Sequence, residues 1–232
     1  MKKIALIISC EHAVDTVPQP YIPLFHPFKE LLNSHRGIDF GALTIAHHLK
    51  KTVPCDFIQA HTTRLLIDCN RSLKHPSCFS EITQDLPQEE KIKIINQYYL
   101  PYREQVTDLI KSKINQKFQV WHLSIHSFTP IMNDLVRMAD IGFLYNPQRS
   151  SEKILCRQWQ KELRQLSPTI KVRLNYPYKG IADGFTTALR KQFDDSEYVG
   201  IEIESNQKLT LNEQSLNTLK NLLSDSLLKL LC

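Results

Sequence analysis

Two histidines in this chain sit where apolar runs give out. His12 follows the run at residues 3–9 and closes Cys10-Glu11-His12-Ala13. His126 follows the β-rich run at residues 118–125 and precedes Ser127-Phe128-Thr129-Pro130. Strand pairing must stop at Thr129-Pro130, because proline has no amide hydrogen to give a ladder. In open α/β sheets that edge is where ligands bind. Two imidazoles, one carboxylate and an open position for water make the donor set of a hydrolytic zinc site. Such a metal acidifies its water, and a nearby glutamate takes the proton. Asp39, at the start of a helical pattern, is a candidate third donor, and Glu11 competes with it. Neighbouring side chains of an extended segment point to opposite faces, so Glu11 and His12 are not expected on one metal. Late in the chain, Glu202 and Glu204 share one face of a strand and are candidate bases.

The elements that must position these residues can be read from hydrophobic periodicity. Runs at residues 3–9, 53–60, 118–125, 140–145, 170–174 and 198–203 predict strands. Helical spacing appears at residues 39–51 (Phe40, Leu43, Ala46, Leu49), with Asp39 as an N-cap or first-turn residue. It recurs at residues 87–116, 150–166 (Leu155, Trp159, Leu163), 186–193 and 211–231. Pro101 should start a new helix or kink the old one. Residues 14–28 carry Pro18, Pro20, Pro23 and Pro27 and are expected to form a long irregular loop. Strands and helices alternate, which predicts one α/β domain over residues 1–232 with a mostly parallel sheet covered on both faces. Of the remaining histidines, His47 and His48 read as surface residues, and His26, His35, His61, His75 and His122 have no partner spacing that singles them out.

Composition narrows the function classes. With 232 residues, 42% of them hydrophobic, the chain can bury a sizeable core. The net charge of +5 is dispersed, without the aromatic-interleaved basic stripe of a nucleic-acid surface, so no nucleic-acid partner is expected. The cysteines at 10, 55, 69, 78, 156 and 232 form no CxxC pair and read as reduced thiols of a cytoplasmic protein. The opening Met-Lys-Lys is followed by too short an apolar run for a signal peptide, and no run is long enough to span a membrane.

Five ordered motifs carry a resemblance. They are residues 9–13 (Ser-Cys-Glu-His-Ala), 39–42 (Asp-Phe-Gly-Ala), 63–72 (Thr-Arg-Leu-Leu-Ile-Asp-Cys-Asn-Arg-Ser), 124–130 (Ser-Ile-His-Ser-Phe-Thr-Pro) and 140–145 (Asp-Ile-Gly-Phe-Leu-Tyr). Together they resemble the N-formylglutamate amidohydrolase family. The resemblance implies a three-layer αβα fold with a mostly parallel, mixed central sheet, similar to zinc carboxypeptidases and zinc-dependent peptidoglycan amidases. It implies one Zn²⁺, or another divalent metal, on His12, Asp39 and His126, and cleavage of the amide bond of a small N-acyl amino acid. N-formylglutamate, and with it histidine degradation, is the family's own example. An amidase of the same fold acting on another N-acyl or peptide-like substrate is the alternative. The segment from Glu204 to Leu209 is similar to the family's Glu-x-x-Gln, which favours Glu204 as the base with Glu202 close behind.

An N-acyl amino acid brings at least one carboxylate, and guanidinium groups bind carboxylates bidentately. Arg64 and Arg71, with Asn70, are therefore candidate substrate contacts; for Arg71 an ion pair with Asp68 competes. Asn175, Tyr178 and Lys179 resemble the family's Asn-x-Pro-Tyr-x-Gly loop and are expected to touch substrate. Ser127 to Pro130 would shape the mouth, and Arg137 with Asp140 would either line the site or, in the favoured reading, form an internal salt bridge. Two other classes stand beside this reading. One is a thiol hydrolase built on Cys10 with His12 or His126. The other is a non-catalytic binding protein that keeps the fold, marked by a shallow or blocked site.

Overall fold

The structure, a computed structural model, describes residues 3–231. Met1, Lys2 and Cys232, which the expected domain and thiol set include, lie outside the described residues. Strand β1 (Ile4–Cys10) is buried along all but its first residue. Its continuous apolar run suits a strand covered on both sides. It lies between β2 (Asp56–Gln59) and β3 (Gln119–Phe128), parallel to both. β8 (Tyr198–Asn206) continues the parallel set beside β3. β6 (Ile141–Leu144) then pairs antiparallel with β8, and β7 (Val172–Leu174) runs parallel to β6. The six-stranded order is β2-β1-β3-β8-β6-β7, a mostly parallel, mixed sheet.

Alternation of side chains divides the core in two. Ile8, Leu123, Ile201 and Ile203 pack with α1 (Ala42–Thr52), α3 (Ser150–Leu166) and α5 (Glu213–Leu231). There Trp159 stacks on Phe143 with ring centroids 4.8 Å apart. Ile7, Val120 and Tyr198 face the other way, against Tyr102, Val106 and Ile110 of α2 (Leu100–Asn115) and Phe185 and Leu189 of α4 (Phe185–Arg190). The result is three layers, helix on sheet on helix. Pro101 lies in the first turn of α2, which follows a helix over Gln88–Ile94 and a π-helical turn over Ile95–Tyr99.

Several expectations change. The ladder carries β3 through Phe128 and β8 through Asn206, so His126 and Glu204 lie inside strands rather than beyond them. The second strand shortens to β2. The proline-rich segment is partly helical, with turns over Gln19–Tyr21, Ile22–Phe25 and His26–Phe28. A hairpin of β4 (Ile131–Met132) and β5 (Leu135–Val136) turns on Asn133 and Asp134, both in the left-handed region as a two-residue hairpin requires. All four strand residues are exposed, so no in–out alternation marked them. Asp39 is not the cap of α1. That position belongs to Gly41, at φ 79°, while the Asp39 carbonyl accepts from the Ala42 amide at 3.1 Å. Its carboxylate is thereby free to turn towards the sheet.

On the α2 side of the sheet the apolar residues yield to a buried polar network. His122 shares hydrogen bonds of 2.8 Å with the Ser9 and Tyr198 hydroxyls. Ser9 donates to Glu11 Oε1 at 2.7 Å, as does the Tyr102 hydroxyl. Burial pushes the His122 imidazole down to about 4, with Glu11 opposing and Arg190 and His126 adding to the shift.

Two outcomes follow from this framework. A Cβ on Gly41 would lie 2.4 Å from Thr210 Cβ, on a backbone that side chains rarely adopt. Gly41→Ala should therefore lower unfolding stability by about 1–3 kcal/mol in urea titrations, beyond the usual effect of a surface glycine. His122 is neutral when folded and titrates near 6.5 when unfolded. Between pH 6.5 and 4 the unfolded chain binds the extra proton, so this residue's contribution is complete above that window and is lost as pH falls through it. Wild type should lose about 3 kcal/mol more than His122→Gln across the window, read as diverging urea midpoints.

Candidate active site

Three separate stretches meet at the C-terminal edge of the parallel strands. His12 stands two residues past β1 and is fixed there by its carbonyl, which accepts from the Asp39 amide at 3.1 Å. Asp39 belongs to the turn that Gly41 closes into α1. His126 projects from β3 directly beside Glu204 of β8. All four are at least 95% buried. One ligand-type atom each from His12, Asp39 and His126 lies within 4.8 Å of the others.

The rings are aimed from behind. His12 Nε2 is 2.8 Å from Asp68 Oδ1, and His126 Nε2 is 3.2 Å from Glu11 Oε2 and 2.8 Å from the Ser124 hydroxyl. A ring N–H on that side of each histidine leaves both Nδ1 atoms for the centre. They approach Asp39 Oδ2 at 3.4 Å and 2.9 Å. Asp39 Oδ2 also accepts from the Ser127 amide at 3.2 Å. Arg64 spans two carboxylates, 2.8 Å from Asp68 Oδ2 and 3.4 Å from Asp39 Oδ1.

Charge balance shows what this cluster would accept. Asp39, Asp68, Glu11 and Glu204 are all buried here, and Arg64 is the guanidinium that pairs with two of them, Asp39 and Asp68. Burial alone would raise Glu11 and Asp39, yet their histidine partners hold both well below the usual carboxylate range. Burial opposes charge on His126 too, but hydrogen bonds to Asp39 and Glu11 hold it well above its ordinary value. A site that draws protons onto its histidines has the field to hold a cation. Two imidazole nitrogens and a carboxylate oxygen are the donor set that zinc takes in hydrolases. Glu204 stands apart, because its Oε2 is buried without a hydrogen-bond partner. Burial pushes its carboxyl up to about 7, Asp39 and Glu202 pushing the same way and the two histidines opposing.

These groups lie in a cleft of about 300 Å³ whose walls include Arg64, Asn70, Arg71, Ser127, Tyr178, Lys179 and Glu202. Seven sequence-derived candidates thus join the His-Asp-His cluster and Glu204, and Asn175 does not. Its Oδ1 accepts from the Tyr145 and Gly180 amides at 3.0 Å each, which braces the loop that carries Tyr178 to the rim. Arg71 makes no ion pair with Asp68 within 4.0 Å; it donates to the Asp183 carbonyl at 2.6 Å. Arg137 does not pair with Asp140 either. It donates to Thr129 and the Tyr178 hydroxyl, while Lys208 lies 2.7 Å from Asp140. Glu11 is behind the metal-type cluster, on the far nitrogen of His126, as alternation along the chain requires.

Sequence reasoning missed Asp68 as the partner of His12, His122 as part of the buried network, and Gln207, whose side-chain amide donates to the Ser127 hydroxyl at 3.1 Å. From the sequence, Asp68 is expected only as a partner of Arg71 and Gln207 only as the glutamine of the Glu-x-x-Gln resemblance; nothing there points to His122. Cys10 faces the opposite core. It is fully buried, donates to the Ile125 carbonyl at 3.4 Å, and burial pushes its thiol far up, which disqualifies it as a thiolate nucleophile. Among the described residues no helix is long and apolar enough to cross a membrane.

No curated protein sequence matches the chain. Among solved structures, it superposes on a gene product of Agrobacterium tumefaciens with a TM-score of 0.79 and 27% identity, over 99% of this chain and 92% of that one. It superposes on an N-formylglutamate amidohydrolase from Ralstonia eutropha JMP134 with a TM-score of 0.73 and 19% identity, over 100% and 94% of the two chains. The sequence model of the N-formylglutamate amidohydrolases matches residues 4–211, and the chain belongs to that family.

Proposed function

We propose that this protein is a zinc-dependent amidohydrolase that cleaves the amide bond of a small N-acyl amino acid. One observation carries the reading: a buried carboxyl with an unpartnered oxygen, Glu204, stands beside a convergent His12-Asp39-His126 donor set inside a cleft. Family membership supports the same chemistry. His12 Nδ1, His126 Nδ1 and an Asp39 oxygen would hold the metal, which supplies Lewis acidity to the amide carbonyl and to water. Asp68 and Glu11 hold the two rings in the required tautomer.

Glu204 does the proton work. A carboxyl poised near neutrality can take a proton in one step and return it in the next. Its Oε2 accepts the proton of the attacking water and then delivers it to the leaving amine. No internal hydrogen bond competes for that oxygen. Arg71 keeps guanidinium donors free for the substrate carboxylate, and Asn70 is positioned by accepting from the Phe185 amide at 2.7 Å. Arg64 is committed to Asp39 and Asp68, so its first task is to hold those carboxylates in place. Ser127, tied to Asp39 and Gln207, and Tyr178 at the rim complete the walls beside the reacting amide.

Metal analysis and a deformylase assay test this reading. Wild type should bind about one zinc per chain and release formate from N-formyl amino acids, with activity lost to a chelator and restored by Zn²⁺. His126→Ala should lose both metal and turnover; a His126→Ala protein with full zinc and full rate would overturn the ligand assignment. Glu204→Gln should keep its zinc while kcat drops about 10²–10⁴-fold, the usual contribution of a positioned acid–base. An unchanged kcat in Glu204→Gln would move the base elsewhere.

A further inference from the structure

Among the described residues, the charged side chains of the cleft without an ion pair include Arg71 and Lys179 of one sign and Glu202 and the base Glu204 of the other. Arg71 donates to the Asp183 backbone carbonyl, and among the described residues no carboxylate lies within 4.0 Å of its guanidinium. Glu202 accepts from the Thr186 hydroxyl at 2.6 Å through Oε1, and no basic nitrogen among the described residues lies within 4.0 Å of its carboxylate. Both line the cleft. Of the other acid groups there, Asp39 is engaged by Arg64 and His126, Asp183 by the Ser72 amide at 2.9 Å, and Glu204 is kept for the proton work. A Cβ at Gly184 would come 3.0 Å from Glu202 Oε1, so glycine there leaves the carboxylate room in its present position.

Position along the strand turns this pair of charges into a measure of the substrate. Glu202 and Glu204 share one face of β8, one pleat repeat apart, which separates their Cα atoms by about 7 Å. With an amide nitrogen held at Glu204, Glu202 is within reach of the end of a long amino-acid side chain. The γ-carboxylate of a glutamate substrate would meet a like charge there. An ammonium or an amide N–H₂ would meet its complement.

We infer that Glu202 selects an N-acyl amino acid whose side chain ends in a cation, of the lysine or ornithine type, while Arg71 takes the α-carboxylate. The inference rests on the amidohydrolase reading and narrows its substrate class. Glu202 is then a specificity residue that contacts substrate and takes no part in proton transfer.

Binding and turnover separate the two claims. Calorimetry on zinc-loaded Glu204→Gln protein, which holds substrate without cleaving it, would compare N-formyl-L-lysine, N-formyl-L-glutamine and N-formyl-L-glutamate. The lysine compound should bind about tenfold tighter than the glutamate compound, with glutamine between them. Adding Glu202→Gln should remove that preference, and in wild type the same order should appear in kcat/KM. The inference is overturned if the glutamate compound binds best, if none of the three binds, or if the order survives Glu202→Gln. It is equally overturned if Glu202→Gln alone abolishes turnover of every compound without changing affinity, which would place Glu202 in the chemistry. Failure of zinc-loaded wild type to cleave any N-acyl amino acid while the binding order holds would instead defeat the amidohydrolase reading.

Discussion

The cleft depends on two imidazoles gripped from behind by buried carboxylates. Asp68 holds His12 and Glu11 holds His126, each through Nε2. Without those acceptors either ring could flip or change tautomer, and the two Nδ1 atoms would no longer converge with Asp39. Burying the acceptors is costly, because a carboxylate removed from water loses several kcal/mol of hydration. The structure offsets that cost with dense hydrogen bonding. Glu11 receives the Ser9, Ser124 and Tyr102 hydroxyls, and Asp68 receives Arg64 and the Asn70 amide. Charge that sits at the centre of the site is therefore organised two layers deep, and the outer layer fixes the inner one.

Sheet topology explains why these groups meet. β1 and β3 are parallel neighbours, so the chain leaves both at the same edge, and His12 and His126 arrive together although 114 residues separate them. β8 is parallel to β3 on one side and antiparallel to β6 on the other. Glu204 thus lies between His126 and Gly142. Gly142 has a packing reason: a Cβ there would lie 1.8 Å from the Tyr176 carbonyl oxygen, so only glycine lets the loop that carries Tyr178 close over the sheet edge. The same loop is braced from beneath by Asn175, whose role is structural for that reason.

Much of this was legible from the chain, and the limits have physical causes. Strands buried on both faces announce themselves as unbroken apolar runs, so β1 and β3 were visible. The ends of β3 and β8 were not, because polar side chains replace apolar ones while the backbone ladder continues; periodicity reports side chains, and pairing is made by the main chain. His12, Asp39 and His126 were individually unremarkable and became a set through their order in a family pattern. The pairings of Asp68 and His122 were not legible because their partners, His12 and Ser9, are 56 and 113 residues away. No local spacing encodes a contact of that kind. Asp39 stands before an amphipathic pattern, where an N-cap or first-turn residue is expected as well as a donor to the cluster, and with Gly41 taking the cap its carboxylate is left to the cluster.

The arginines show how charge is divided between structure and ligand. Arg64 is engaged by two carboxylates and works as part of the scaffold that holds the cluster. Arg71, seven positions later on the same wall, is held by a single backbone carbonyl and keeps most of its donors. A guanidinium with five donors and one internal acceptor is poorly satisfied until an anion arrives. Glu202 is its counterpart in sign, held by one hydroxyl. A protein selected only for stability would pair these two groups with each other or replace them. Leaving them unpaired within one cleft leaves both to be satisfied by something that enters it, which makes the complementarity of the site a property of what the fold has declined to neutralise.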